Sequence, residues 1–135
     1  MLSKSQAVVS VVLQIVAAVI LLQTLFFKFT GAEESVYIFT AVGAEPWGRI
    51  ASGVMELAAA TLLLYPPTAP IGALIAIAAM TGAVLTHLTI LGIEVMDDGG
   101  LLFALALIVL ASSTVVLVLR RNEWPVVGRY LGLAS

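Results

Sequence analysis

The chain has 135 residues, 61% hydrophobic and 10% charged, with a net charge of −2 and a mean hydropathy of +1.15. Soluble domains carry about a quarter charged residues, so this composition belongs to a membrane protein of one domain, and so small and dispersed a charge excludes nucleic-acid binding. With no cysteine and a single histidine, disulfides, thiolate catalysis, Cys-ligated clusters and multi-His sites are excluded, so no metal is expected, and any redox chemistry must come from a bound cofactor or a partner protein.

Four apolar runs, 7–27, 48–65, 69–91 and 99–119, approach the roughly 20 residues that cross a bilayer core. They predict an all-α integral membrane four-helix bundle. The first run is too long for the apolar part of a signal peptide and has no small-x-small cleavage site after it, so it is expected to be retained. Between the first two runs, Thr30-Gly31-Ala32-Glu33 reads as a capping box. It predicts a short helix over 31–42, ended by Gly43, with Val36, Phe39 and Val42 on the side that lies on the outer membrane surface. Pro46 suits the first turn of the second span. Pro66, Pro67 and Pro70 force a tight turn before the third, and Asp97 or Asp98 can cap the fourth.

Basic residues set the expected orientation. Lys4, Arg120, Arg121 and Arg129 fall on one side and place both termini in the cytoplasm. Lys28 and Arg49 fall on the outer side. Tyr37 and Trp47 outside, with Tyr65 and Trp124 inside, suit the interfacial aromatic belts.

The polar residues inside the spans carry the functional signal. Glu56 stands in an otherwise apolar stretch, where a carboxylate costs roughly 2.5–3.5 kcal/mol on insertion scales, so it requires a partner. At about 100° per residue, Arg49, Gly53, Glu56 and Ala60 share one face of the second span. Ala76, Met80, Ala83 and His87 share a face of the third, while Gln14, Ala18, Thr24 and Lys28 fall on one broad face of the first and Gln23 points elsewhere. Lys28, Arg49, Glu56 and His87 therefore form a candidate cluster in the outer half of the bundle. Two cations and one anion leave it one net positive charge, which favours an anionic or carbonyl-bearing ligand. Each member also has a plainer reading. Glu56 pairs with Lys28 or Arg49 to fix helix register, the two bases snorkel to headgroups, and His87 is a hydrogen-bonded packing residue. Gln14 and Gln23 are expected to join helices. Ser112, Ser113 and Thr114 are expected to bond back to their own helix.

The stretch Leu25-Phe26-Phe27-Lys28-Phe29-Thr30-Gly31, the Ala44-Glu45-Pro46 lead into the second span, Gly53-Val54-Met55-Glu56 followed by Leu62-Leu63-Leu64, and the run from Met80 to His87 together resemble the DoxX-like family of small four-span bacterial membrane proteins. The resemblance covers roughly 13–91. It departs at Leu25, where many members have glycine, and at Ala58, Ala59 and Ala60, where relatives often show paired glycine. It implies a four-helix bundle in the bacterial inner membrane, with Lys28 and Glu56 as the family's characteristic charged pair and His87 as a third member. Some members are described as subunits of quinol oxidases or thiosulfate:quinone oxidoreductases. By resemblance the chain is a non-catalytic subunit or scaffold for a redox or quinone-linked partner. The alternatives are a binder of a quinone, a lipid or another lipophilic carbonyl compound around Glu56, and a small transporter or assembly chaperone. Partners expected are the lipid bilayer, a redox protein and further copies of the chain. A transporter or proton pathway ranks last, because no Gly/Pro break interrupts a span.

Overall fold

The computed structural model describes residues 2–121. Every regular element among them is helical: α1 (Lys4–Thr30), α2 (Glu33–Ala41), α3 (Trp47–Leu64), α4 (Ala69–Thr86) and α5 (Leu101–Leu119). A 3-10 turn, Pro66–Thr68, leads into α4, and a π turn, His87–Leu91, continues it. Four helical segments are long and apolar enough to cross a membrane: Lys4–Thr30, Trp47–Leu64, Pro66–Leu91 and Leu101–Leu119. The protein is a membrane protein surrounded by lipid.

Packing runs in a ring, α1 on α3, α3 on α4, α4 on α5 and α5 back on α1. The shared core is built largely from alanine, with Ala17, Ala18, Ala59, Ala60, Ala73 and Ala76 fully buried around Leu21, Leu63, Val109 and Val116. Small side chains let helix backbones approach, which is how helices gain contact in a solvent as apolar as their own surfaces. The closest approach is at Gly72, where a Cβ would stand 2.6 Å from the Leu63 amide nitrogen and 2.9 Å from the Ala59 carbonyl.

The helix ends correct two expectations. Thr30 does not open α2. It is the last residue of α1, its hydroxyl donates to the Phe26 carbonyl, and α2 begins after Ala32 without a side-chain cap. Gly31, left-handed at φ 68°, ends α1, with Gly31 and Ala32 amides returning to the Lys28 and Phe27 carbonyls. The capping box lies instead at the start of α1, where Ser3 and Gln6 exchange side-chain bonds with each other's amides. Gly43 does end α2, also left-handed and with the same returning pair of bonds.

The 92–100 loop is organised by Asp98, as expected for one of the two aspartates. Its oxygens accept from the amides of Val95, Gly100 and Leu102 at 2.8–3.0 Å. Burial raises the carboxyl's pKa, but the Leu102, Val95 and Gly100 amides, and then the nearby His87, hold it below its ordinary value of 3.8.

At the end of the bundle near Pro66, polar groups close on one another. Ser10 donates to the Gln14 side-chain oxygen at 2.7 Å, and the Gln14 amide donates to the Leu63 carbonyl at 2.7 Å, one of the four that α3 leaves unbonded at its C-terminus. Arg120 Nε donates to both Ser10 and Gln14, at 2.8 and 2.9 Å. Gln14 thus joins helices as expected. Arg120, 5% exposed, is folded into the bundle and is not simply a surface charge. Thr114 bonds back to Leu110 as expected, but Ser113 does not: its buried hydroxyl has no hydrogen-bond partner among the described residues. Trp124 and Arg129 lie outside the described residues.

Candidate functional site

At the opposite end, where α2 lies, Lys28 and Glu56 meet across α1 and α3. Lys28 Nζ stands 2.5 Å from Glu56 Oε1, with side chains 16% and 3% exposed. The ammonium also donates to Ser52 Oγ at 3.1 Å and stands 5.8 Å from the centre of the Phe39 ring on α2. The second carboxylate oxygen of Glu56 lies 3.3 Å from the Thr24 hydroxyl, whose proton it shares with the Leu21 carbonyl. An ammonium has three protons, and two are engaged. The third has no hydrogen-bond partner among the described residues.

Arg49 does not join this cluster. Its Nε lies 3.0 Å from each oxygen of Glu45 and its Nη2 lies 2.9 Å from Oε1, a fork-to-fork pair. Its Nη1 donates to the Lys28 carbonyl. The guanidinium therefore caps the C-terminus of α1 beneath Gly31, where the helix dipole favours a cation. Helical phase puts Arg49 on the face of Glu56, but a long side chain at the first turn can leave that face. Glu45 four residues earlier was the signal.

His87 opens the π turn and lies across the bundle. Its carbonyl accepts from the Gly92 amide at 2.7 Å, and its Nδ1 lies 2.9 Å from the Gly92 carbonyl. A carbonyl can only accept, so Nδ1 carries the proton. In the neutral ring Nε2 is then a bare acceptor. The ring packs at a tilt against Phe103, centroids 5.4 Å apart.

Between these groups is a cavity of about 650 Å³, walled by all five helices. Lys28, Glu56 and His87 line it, with Thr24 and Ser52 beside the ion pair and Leu102, Leu105 and Ala106 behind. α2 touches α1, α3 and the π turn, and turns Ser35, Ile38, Phe39 and Val42 toward the cavity. The inward face of α2 is thus rotated from the expected one, with Ser35 buried and Val36 off the wall. Gln23 joins no helices through a hydrogen bond among the described residues, and lines the cavity from an exposed position.

The electrostatic expectation changes with Arg49 gone. Lys28 and Glu56 cancel, and among the described residues the only other acidic or basic side chain on the wall besides His87 is Glu34 at the exposed start of α2. The wall is not positive, so it no longer favours an anion. It offers one ammonium proton, one imidazole acceptor and apolar surface.

The family model of the DoxX-like family matches residues 12–114. The chain belongs to the DoxX-like family. No curated protein and no solved structure matches it. In this DoxX-like protein the matched region carries Lys28, Glu56 and His87 together with Thr24, Ser52 and Phe39. The last three are side chains that sequence reasoning left out of the site, because short neutral polar groups and an aromatic on a surface helix carry no signal of their own.

Proposed function

We propose that this DoxX-like protein binds a small uncharged lipophilic compound bearing a ring carbonyl or hydroxyl, of which a quinone is the type, at the α2 end of the bundle. The observation that carries this reading is the cavity beside the ion pair. A scaffold or subunit that worked through its surface alone would gain stability by closing that volume, since interiors pack to crystal density. A volume of about 650 Å³ is instead typical of ligand sites, with apolar walls and few convergent polar groups. In this reading Lys28 donates to a ligand oxygen while Glu56 and Ser52 hold the ammonium in place. In the reduced, quinol form, His87 Nε2 accepts from the ring hydroxyl at the far end. Glu56 orients Lys28 and is not itself consumed in a reaction.

The same reading places the protein in a bacterial inner membrane with both termini cytoplasmic and the α2 end outside. Lys4 and Arg121 support that orientation. Arg120 counts for less, because its charge is held within the bundle.

Native mass spectrometry of the detergent-extracted protein tests the binding. The expected result is a retained molecule of roughly a few hundred daltons, the size such a volume holds, that is lost when Leu105→Trp fills the cavity. A bare wild-type chain under the mildest extraction overturns the reading.

A further inference from the structure

The cavity is not closed on all sides, and where it opens bears on the shape of its ligand. Near Pro66, α3 and α4 touch backbone to backbone, with Gly72 against Ala59, Leu62 and Leu63. The same stripe of α4 continues through Ala79, Ala83 and Thr86, and the same stripe of α3 runs back through Met55 and Ser52. At the α2 end all five residues are cavity wall. The stripes that are in backbone contact at one end are cavity wall at the other.

The wall also continues around α4. It includes Met80 and His87, which are buried, and Ala78 and Gly82, which lie on the opposite side of the helix and are exposed. No residue on the α5 side of α4 (Ile77, Thr81, Val84 or Leu88) belongs to it. The cavity therefore reaches the outside of α4 by passing between α3 and α4. A Cβ on Gly82 would meet nothing within 4 Å. The crevice is lined by Met55 and small side chains, and its hydroxyls are engaged, that of Thr86 on the Gly82 carbonyl and that of Ser52 by the Lys28 ammonium. Nothing there requires water, so the opening suits hydrocarbon. The water-facing end is roofed by α2.

We propose that the ligand is an amphiphile, with its polar ring at Lys28 and His87 and an alkyl tail that leaves through the α3–α4 crevice into the lipid, and that it arrives from the bilayer and not from water. This rests on the ligand reading above. A tail in the crevice stays in an apolar medium throughout, so only the head exchanges its surroundings on binding. A second gap, between α1 and α5, is walled by Phe27, Leu101 and the amide of Gln23. A bulky ring and a polar amide make it the poorer channel for a chain.

The test is photolabelling of the wild-type protein in phosphatidylcholine vesicles with a decyl-tailed benzoquinone carrying a diazirine at the tail end, mapped by peptide mass spectrometry. Labels that unlabelled decyl-benzoquinone removes are expected on Met55, Ala78 and Gly82. Competed labels on Ile38 and Val42 would place the tail under α2, and competed labels on Phe27 and Leu101 would place it in the other gap. Either overturns the crevice while leaving ligand binding intact. No competed label anywhere in the cavity overturns both proposals.

Discussion

Separating Lys28 from Glu56 gives a measurable asymmetry. Removing one partner of a buried ion pair costs about 3–5 kcal/mol, because the other charge is left in a low dielectric. In Lys28→Met the Glu56 carboxylate, 3% exposed, keeps only its share of the Thr24 proton at 3.3 Å. The full penalty of about 3–5 kcal/mol applies. In Glu56→Gln the ammonium keeps Ser52 at 3.1 Å, the Phe39 ring at 5.8 Å and a part-exposed position, and the new amide oxygen can still accept from it. The loss is then closer to that of one charge-assisted hydrogen bond, about 1.5–3 kcal/mol. The double variant leaves no orphan charge, so it should be more stable than Lys28→Met alone. The coupling energy should reach about 2 kcal/mol, within the range of directly contacting groups. Reversible unfolding in mixed micelles, with dodecyl sulfate as denaturant and helicity as readout, measures all four corners of the cycle. If the singles add to within about 0.5 kcal/mol, the two charges do not sense each other and the pair is not the feature that orders this end of the bundle.

Glycines on α4 give a paired test of the crevice geometry. Gly72→Ala, whose Cβ would stand 2.6 Å from a backbone nitrogen, should destabilise by about 1–3 kcal/mol. Gly82→Ala, with open space around it, should be neutral or stabilise by up to about 1 kcal/mol in the same unfolding assay. Asp98 should confer an acid-sensitive contribution. Its folded pKa is lowered below 3.8, so its stabilisation is complete above the unfolded value and disappears as pH falls through the folded one. Asp98→Asn should lose about 1 kcal/mol at neutral pH, as for a helix cap, and should flatten that acid limb. Gln14→Leu removes bonds to Ser10, Arg120 and the Leu63 carbonyl at once. It should cost about 1–3 kcal/mol, because it leaves buried donors and an acceptor unpaired.

The spans were legible because crossing a bilayer demands about 20 apolar residues in a row, and little else in sequence space looks like that. Lys28 and Glu56 were legible for the related reason that charges in lipid need partners. Phase and burial then agree for Gly53, Glu56 and Ala60 on α3, for Ala76 and Met80 on α4, and for His87 in the π turn that continues it. What failed was local chemistry with two valid readings. Thr30 and Glu33 have capping-box spacing, but Gly31 can adopt the left-handed conformation that ends a helix, and α1 runs on to use it. Arg49 has the phase of Glu56 and also the i,i+4 spacing to Glu45, and the part-buried fork geometry prevailed. Arg120 was read as a topology charge, although Ser10 and Gln14, polar and four apart in an apolar helix at the same end, marked a polar partner there. The cavity was not legible at all. Periodicity gives the face each helix buries, but not the angle at which two backbones diverge. That angle depends on where glycine and alanine stripes meet, as at Gly72.

The two ends of the bundle handle their polar groups differently, and that difference is the basis for a last prediction. At the Pro66 end, Ser10, Gln14, Arg120 and the Leu63 carbonyl satisfy one another across α1, α3 and α5. At the α2 end, Lys28 keeps a third proton, and His87 keeps Nε2 without a hydrogen bond among the described residues. Both line the cavity. Polar groups left open beside a cavity reduce stability relative to a packed wall. A ligand that engages both restores it, and the gain follows mass action at about 2.7 kcal/mol when the ligand stands at 100 times its Kd. Decyl-hydroquinone, whose ring hydroxyls can accept from Lys28 and donate to Nε2, should therefore raise the midpoint of unfolding in wild-type protein. It should raise it less in His87→Phe, where the acceptor is gone but the ring packing against Phe103 can persist. An equal shift in both proteins would mean that the compound stabilises through the micelle and not through this wall.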